Sequence, residues 1–75
     1  MPKLPRLSGK DLIKVLEKIG YVHLRTRGSH AIMKRQTAQG SKTIPVPLHK
    51  ELAKGTLKSI MNQADITLQD LFNLI

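Results

Sequence analysis

Seventy-five residues without a cysteine exclude disulfide staples and thiolate metal clusters, and they leave room for one small domain spanning residues 1–75. Thirteen Lys and Arg against five Asp and Glu give a net charge of +8, which favours a polyanionic partner. The opening MPKLPRLSGK has two prolines and no apolar run, so it predicts neither a secretory signal nor a membrane span, and a cytoplasmic location. The charge is unevenly placed. All thirteen basic residues lie between positions 3 and 58, whereas residues 59–75 carry only Asp65 and Asp70.

Ser8-Gly9-Lys10-Asp11 predicts the start of a first helix, because Ser8 and Asp11 are spaced for a reciprocal capping box. Leu12, Ile13, Leu16 and Ile19, with Val15 at the margin, form its apolar stripe, and Gly20 ends it. Residues 21–26 alternate and predict a half-buried strand, with Val22 and Leu24 on one face and Tyr21, His23 and Arg25 on the other. After the turn Arg27-Gly28-Ser29, residues 30–35 read as a second strand, residues 37–41 as a loop, and residues 42–46 as a third strand. Pro45 and Pro47 cannot donate to a ladder, so that strand should lie at an edge or finish there. A single helical turn is expected at residues 50–53. A second helix at residues 56–64 buries Leu57, Ile60, Met61 and Ala64, and a short final helix opens at Thr67-Leu68-Gln69-Asp70. This last helix carries Leu68, Leu71, Phe72 and Ile75 as a lid on the second.

The predicted class is α+β: a three-stranded antiparallel sheet with its helices on one face, the other face open, and a short C-terminal helix. The order α-β-β-β-α is that of the double-stranded-RNA-binding fold, but topology does not give function, so the site must carry that claim. The five carboxylates are scattered, and the histidines at positions 23, 30 and 49 form no HxH or HxxxH pair, which argues against metal-dependent hydrolysis. No phosphate-binding glycine loop or GxSxG elbow occurs, and with only Tyr21 and Phe72 as aromatics a base-stacking sheet is not expected.

Histidine among cations remains, and that combination suits RNA. The ribose 2′-hydroxyl can attack its own phosphate if one group removes its proton and another protonates the departing 5′-oxygen; an imidazole does either near neutral pH, and cations stabilise the phosphorane. His30 is the best placed. It follows Gly28 and Ser29, which can let a phosphate approach and donate to it, and Arg25, Arg27, Lys34 and Arg35 all lie within five residues. A strand histidine that only fills a face is the competing reading of His30. His23 reads as a solvated strand residue, and His49 as a loop histidine or a second proton carrier. Lys10, Lys14 and Lys18 recur along one helix face, either solvated or in contact with RNA.

Taken together, SGKDLIKVLEKIGY, RTRGSH, TIPVP and HKELAKGTLKSIMNQA resemble the HicA family of bacterial toxin–antitoxin systems. The likeness runs from Ser8 to about Ala64, and its most distinctive pieces are Gly28-Ser29-His30 and Gly55-Thr56-Leu57. The resemblance implies a double-stranded-RNA-binding-like fold and cleavage of mRNA without the ribosome. It also implies neutralisation by a HicB antitoxin; beside it, no metal or other cofactor and a monomer when free are expected. It matches the family's catalytic histidine to His30; the residues themselves give Gly28, Ser29, Arg25, Arg27, Lys34 and Lys10 as the expected RNA contacts. Ala31 and Met33 stand where many members have a second histidine or an aromatic residue, and the segment after Leu68 is more apolar than a minimal member requires. Two further readings stay open beside this one: a non-catalytic RNA-binding module of the same fold, and an adaptor that docks a partner through its apolar C-terminal helix.

Overall fold

The computed structural model describes residues 3–75; Met1 and Pro2, part of the proline-containing opening segment, lie outside the described residues. Helix α1 (Gly9–Lys18) starts as its sequence dictates. The Asp11 amide donates to the Ser8 hydroxyl at 3.0 Å, and the Ser8 amide donates to the Asp11 carboxylate at 3.1 Å. The backbone bond from Ser8, then its hydroxyl, hold the Asp11 carboxyl below the usual carboxylate range. Leu12, Val15 and Leu16 are buried while Ile13 is only partly so, which puts Val15 at the centre of the stripe and not at its margin. Gly9 has a packing role that its place in the capping motif conceals. Its amide donates to the His49 carbonyl at 2.9 Å, and a Cβ there would run into the Pro47 carbonyl oxygen.

Strands β1 (Val22–Arg27), β2 (His30–Thr37) and β3 (Gly40–Pro47) form one antiparallel sheet in that order. Gly28-Ser29 joins the first pair; φ is +58° at Gly28 and not positive at Ser29, the sign pattern of a type II′ hairpin. The second connection is tighter than the expected loop over residues 37–41: Thr37 pairs with Gly40, leaving only Ala38 and Gln39 between them. The β3 edge position agrees with its prolines. The Leu48 amide donates toward the β2 side, to the Ser29 carbonyl at 2.7 Å. Pro45 and Pro47 have the opposite parity, so the donors they lack would have pointed out of the sheet.

The facing predicted for the first strand is reversed. Tyr21 is buried at 2% exposure, while Val22 and Leu24 are 60% and 47% exposed. The cause is a bulge between His23 and Arg25, where two steps of β1 oppose one step of β2. His23 pairs with Met33 on the core side, and Arg25 pairs with Ile32 on the other, so these two do not share a face as the alternation suggested. His23 bonds the Thr26 hydroxyl at 2.9 Å within the strand.

Residues 48–53 form no helical turn; they are irregular, with Leu52 buried and its amide donating to the Leu7 carbonyl at 2.8 Å. Helix α2 (Lys54–Ala64) begins earlier than expected, because its N-cap is Ala53, which offers no side-chain bond to mark the start. Leu57, Ile60, Met61 and Ala64 are buried as predicted, and Asp65 ends the helix in the left-handed region at φ 58°. A reciprocal Thr67–Asp70 cap starts helix α3 (Leu68–Leu74). Helix α3 packs on α1, where Lys18 donates to the Leu74 carbonyl, a cation placed on a helix C-terminus, and its Leu68 also stands beside Met61 of α2. The core joins Leu12 and Leu16, Met33, Ile44 and Val46, and Leu57, Ile60 and Leu71, with Tyr21 beneath them. No helix among the described residues is long and apolar enough to cross a membrane.

Candidate nucleic-acid interface

Pair register decides which side chains share a face, because residues directly opposite on antiparallel strands point the same way. Ala31 and Met33 are buried at 1% and 0%, so His30, Ile32 and Lys34 take the other side. His30 pairs with Arg27 on one flank and Pro47 on the other; Ile32 pairs with Arg25 and Pro45 in the next row. The bulge at Leu24 separates the facing of Tyr21 and His23 from that of Arg25 and Arg27, whose pairing with Ile32 and His30 leaves both arginines on the His30 face; Lys34 lies on that face four residues along β2 from His30.

Arg35 does not join them. It pairs with Lys42 on the opposite face, and its side chain lies against Gly20 at the end of α1. Lys14 and Lys18 line a cleft with Leu74 and Ile75 between α1 and α3. Lys10 and His49 share a separate depression with Ser8 and Lys50, beside the exit of β3. Because the Leu48 amide is bonded to the Ser29 carbonyl, this depression adjoins the Gly28-Ser29 turn.

The His30 face is not open on both sides, contrary to the sequence expectation. On the β3 side it meets α2, and His30, Pro45 and Pro47 line a shallow groove of about 420 Å³ whose far wall is Gly55, Thr56, Ser59 and Gln63. Residue chemistry alone gave no hint of Ser59 or Gln63, which stand some thirty positions from His30 in the chain. The only signal was the place of Gly55-Thr56 among the distinctive motifs. Two carboxylates have structural work: Asp11 and Asp70 are committed to helix caps. Among the described residues, no three His, Asp or Glu side chains converge as a metal-binding group.

The architecture is thus an α-β-β-β-α fold, extended by α3, that gathers a histidine and three cations on one sheet face. The chain belongs to the HicA toxin family of bacterial toxin–antitoxin systems, whose family model matches residues 9–66. That span contains α1, the whole sheet and α2, and it stops before α3. Membership makes the protein a toxin with a cognate antitoxin. No match is found among curated proteins.

Proposed function

We propose that this toxin is an endoribonuclease that cleaves messenger RNA independently of the ribosome, with His30 as its proton-transfer group and a HicB-type antitoxin as its inhibitor. The observation that carries the reading is the row Arg27–His30–Pro47: an exposed imidazole beside the Gly28-Ser29 turn, at the mouth of the groove, with arginine directly across the ladder. In the reaction, the 2′-oxygen attacks the adjacent phosphorus. The 2′-O–P bond forms and the P–O5′ bond breaks, leaving a 2′,3′-cyclic phosphate and a 5′-hydroxyl. One proton leaves the 2′-oxygen and one reaches the departing 5′-oxygen; His30 carries one transfer, and water entering the open groove carries the other. Arg27 and Arg25 stabilise the charge that accumulates on the phosphorane, and Ser29 with the turn backbone holds the phosphate in register. Lys34 and Lys10 hold neighbouring phosphates.

The chemistry makes a direct demand on substrate. An oligoribonucleotide cut at one bond should resist cleavage when a single 2′-deoxy sugar precedes that bond, and the native products should end in a cyclic phosphate. Cleavage of the deoxy-substituted oligonucleotide at the same bond would refute 2′-hydroxyl attack.

A further inference from the structure

Four of the five glycines are explained by the fold. Gly20, Gly28 and Gly40 sit at φ +99°, +58° and +121°, and Gly9 is pressed against the backbone at Pro47. Gly55 has neither reason. It lies in the first turn of α2 with an ordinary φ, and nothing lies within 4 Å of where a Cβ would stand. Alanine there would suit the helix better, so the missing side chain serves nothing within the described fold.

What distinguishes Gly55 is its position on the surface. It lines the His30 groove, and it also lines a second depression of about 510 Å³ on the other side of α2. That depression has an apolar floor of Leu4, Met61 and Leu68 and a rim of Lys3, Lys54 and Lys58. Gly55 is common to the two. An apolar floor under a cationic rim suits an unpaired nucleotide whose base rests on the floor while its phosphates meet the lysines.

We infer that the RNA strand whose phosphate lies at His30 crosses α2 at Gly55 and continues into the depression rimmed by Lys3, Lys54 and Lys58. The inference rests on the ribonuclease reading and adds a path and a second subsite for single-stranded RNA. Gly55 stays without a side chain so that the strand can pass close to the helix.

The test uses an uncleavable 2′-O-methyl oligoribonucleotide with the full chain and its Gly55→Ala and Lys54→Gln/Lys58→Gln variants. Gly55→Ala should raise the melting temperature by about 2–6 °C, since it removes freedom from the unfolded chain, yet weaken RNA binding about three- to tenfold. The double lysine variant should keep its melting temperature and lose about 0.7 of salt-dependence slope per lysine. A Gly55→Ala protein that binds RNA as tightly as the parent overturns the path, as does one whose weaker binding comes with a lowered melting temperature. Weakened antitoxin binding with unchanged RNA affinity would assign the surface to the antitoxin and equally overturn it. Wild-type protein that fails to bind the oligonucleotide would sink the ribonuclease reading itself, a result distinct from the other three.

Discussion

Arg27 and Arg35 lie three and five residues from His30 in sequence, and the sheet separates them. Arg27 stands directly across the ladder from His30, whereas Arg35 lies on the other face against Gly20. Charge alone would make the two interchangeable, so they divide an effect of place from an effect of net charge. Arg27→Ala should lower RNA affinity and reduce the salt slope by about 0.7, one phosphate's worth of released counterions, while Arg35→Ala leaves the slope close to the parent's. Titrations at several salt concentrations check this; equal slopes for the two variants would move the RNA off this face. The Gly28-Ser29-His30 turn was legible in the sequence because turn chemistry is local. The facing of Tyr21, Val22 and Leu24 was not. A bulge adds one residue without any residue type that marks it, and every side chain on its far side then changes face.

At the scale of elements, helix starts were legible wherever a side chain makes the cap. Ser8 and Thr67 announce α1 and α3, each with a carboxylate three residues on, while α2 starts at Ala53, whose backbone alone does the work. The α1 cap gives a pH signature. The Ser8 backbone and hydroxyl lower the Asp11 pKa below its ordinary 3.8, so the ionised form is the stabilising one. That contribution is complete above the ordinary value and is lost as pH falls through the lower folded-state value. Thermal melts of the parent and Asp11→Asn should differ at neutral pH, start to converge near pH 3.8 and meet only below the lower folded-state value; a gap that persists undiminished at pH 2 would contradict the capping role. Helix α3 lies outside the family match, yet it supplies Leu71 to the core at 0% exposure while Phe72 is 40% exposed. Leu71→Ala should therefore cost about 2–5 kcal/mol in denaturant unfolding, and Phe72→Ala well under half as much. Similar losses for the two would mean that α3 is held some other way.

Across the whole molecule, long-range placement was the part that pattern could not supply. Periodicity found the buried face of α2, and its Leu57, Ile60, Met61 and Ala64 are buried. It could not show that the neighbouring flank of the same helix walls the groove at His30. Charge, by contrast, is a global property read directly from composition. A net +8, with every basic residue between positions 3 and 58, attracts an acidic protein as readily as RNA, and steers its approach in a salt-sensitive way. The antitoxin is therefore expected to present an acidic surface to the His30 face, stopping RNA binding and proton transfer through one interface. Hydrogen exchange with and without antitoxin should show protection through residues 28–35; protection confined to residues 67–75 would instead place the contact on α3 and leave His30 uncovered.

RNA cleavage by His30 without a metal ion is a proposal that chelation and removal of the imidazole test together. Purified protein and its His30→Ala variant are incubated with RNA in excess EDTA, with circular dichroism and RNA binding measured on the same samples. The parent is expected to cleave in chelator. The variant is expected to keep its fold and most of its RNA affinity, since cations supply affinity and the imidazole supplies proton transfer, while its cleavage falls to background. Parent activity lost in EDTA and restored by magnesium or manganese, or a folded His30→Ala protein that still cuts, would contradict it.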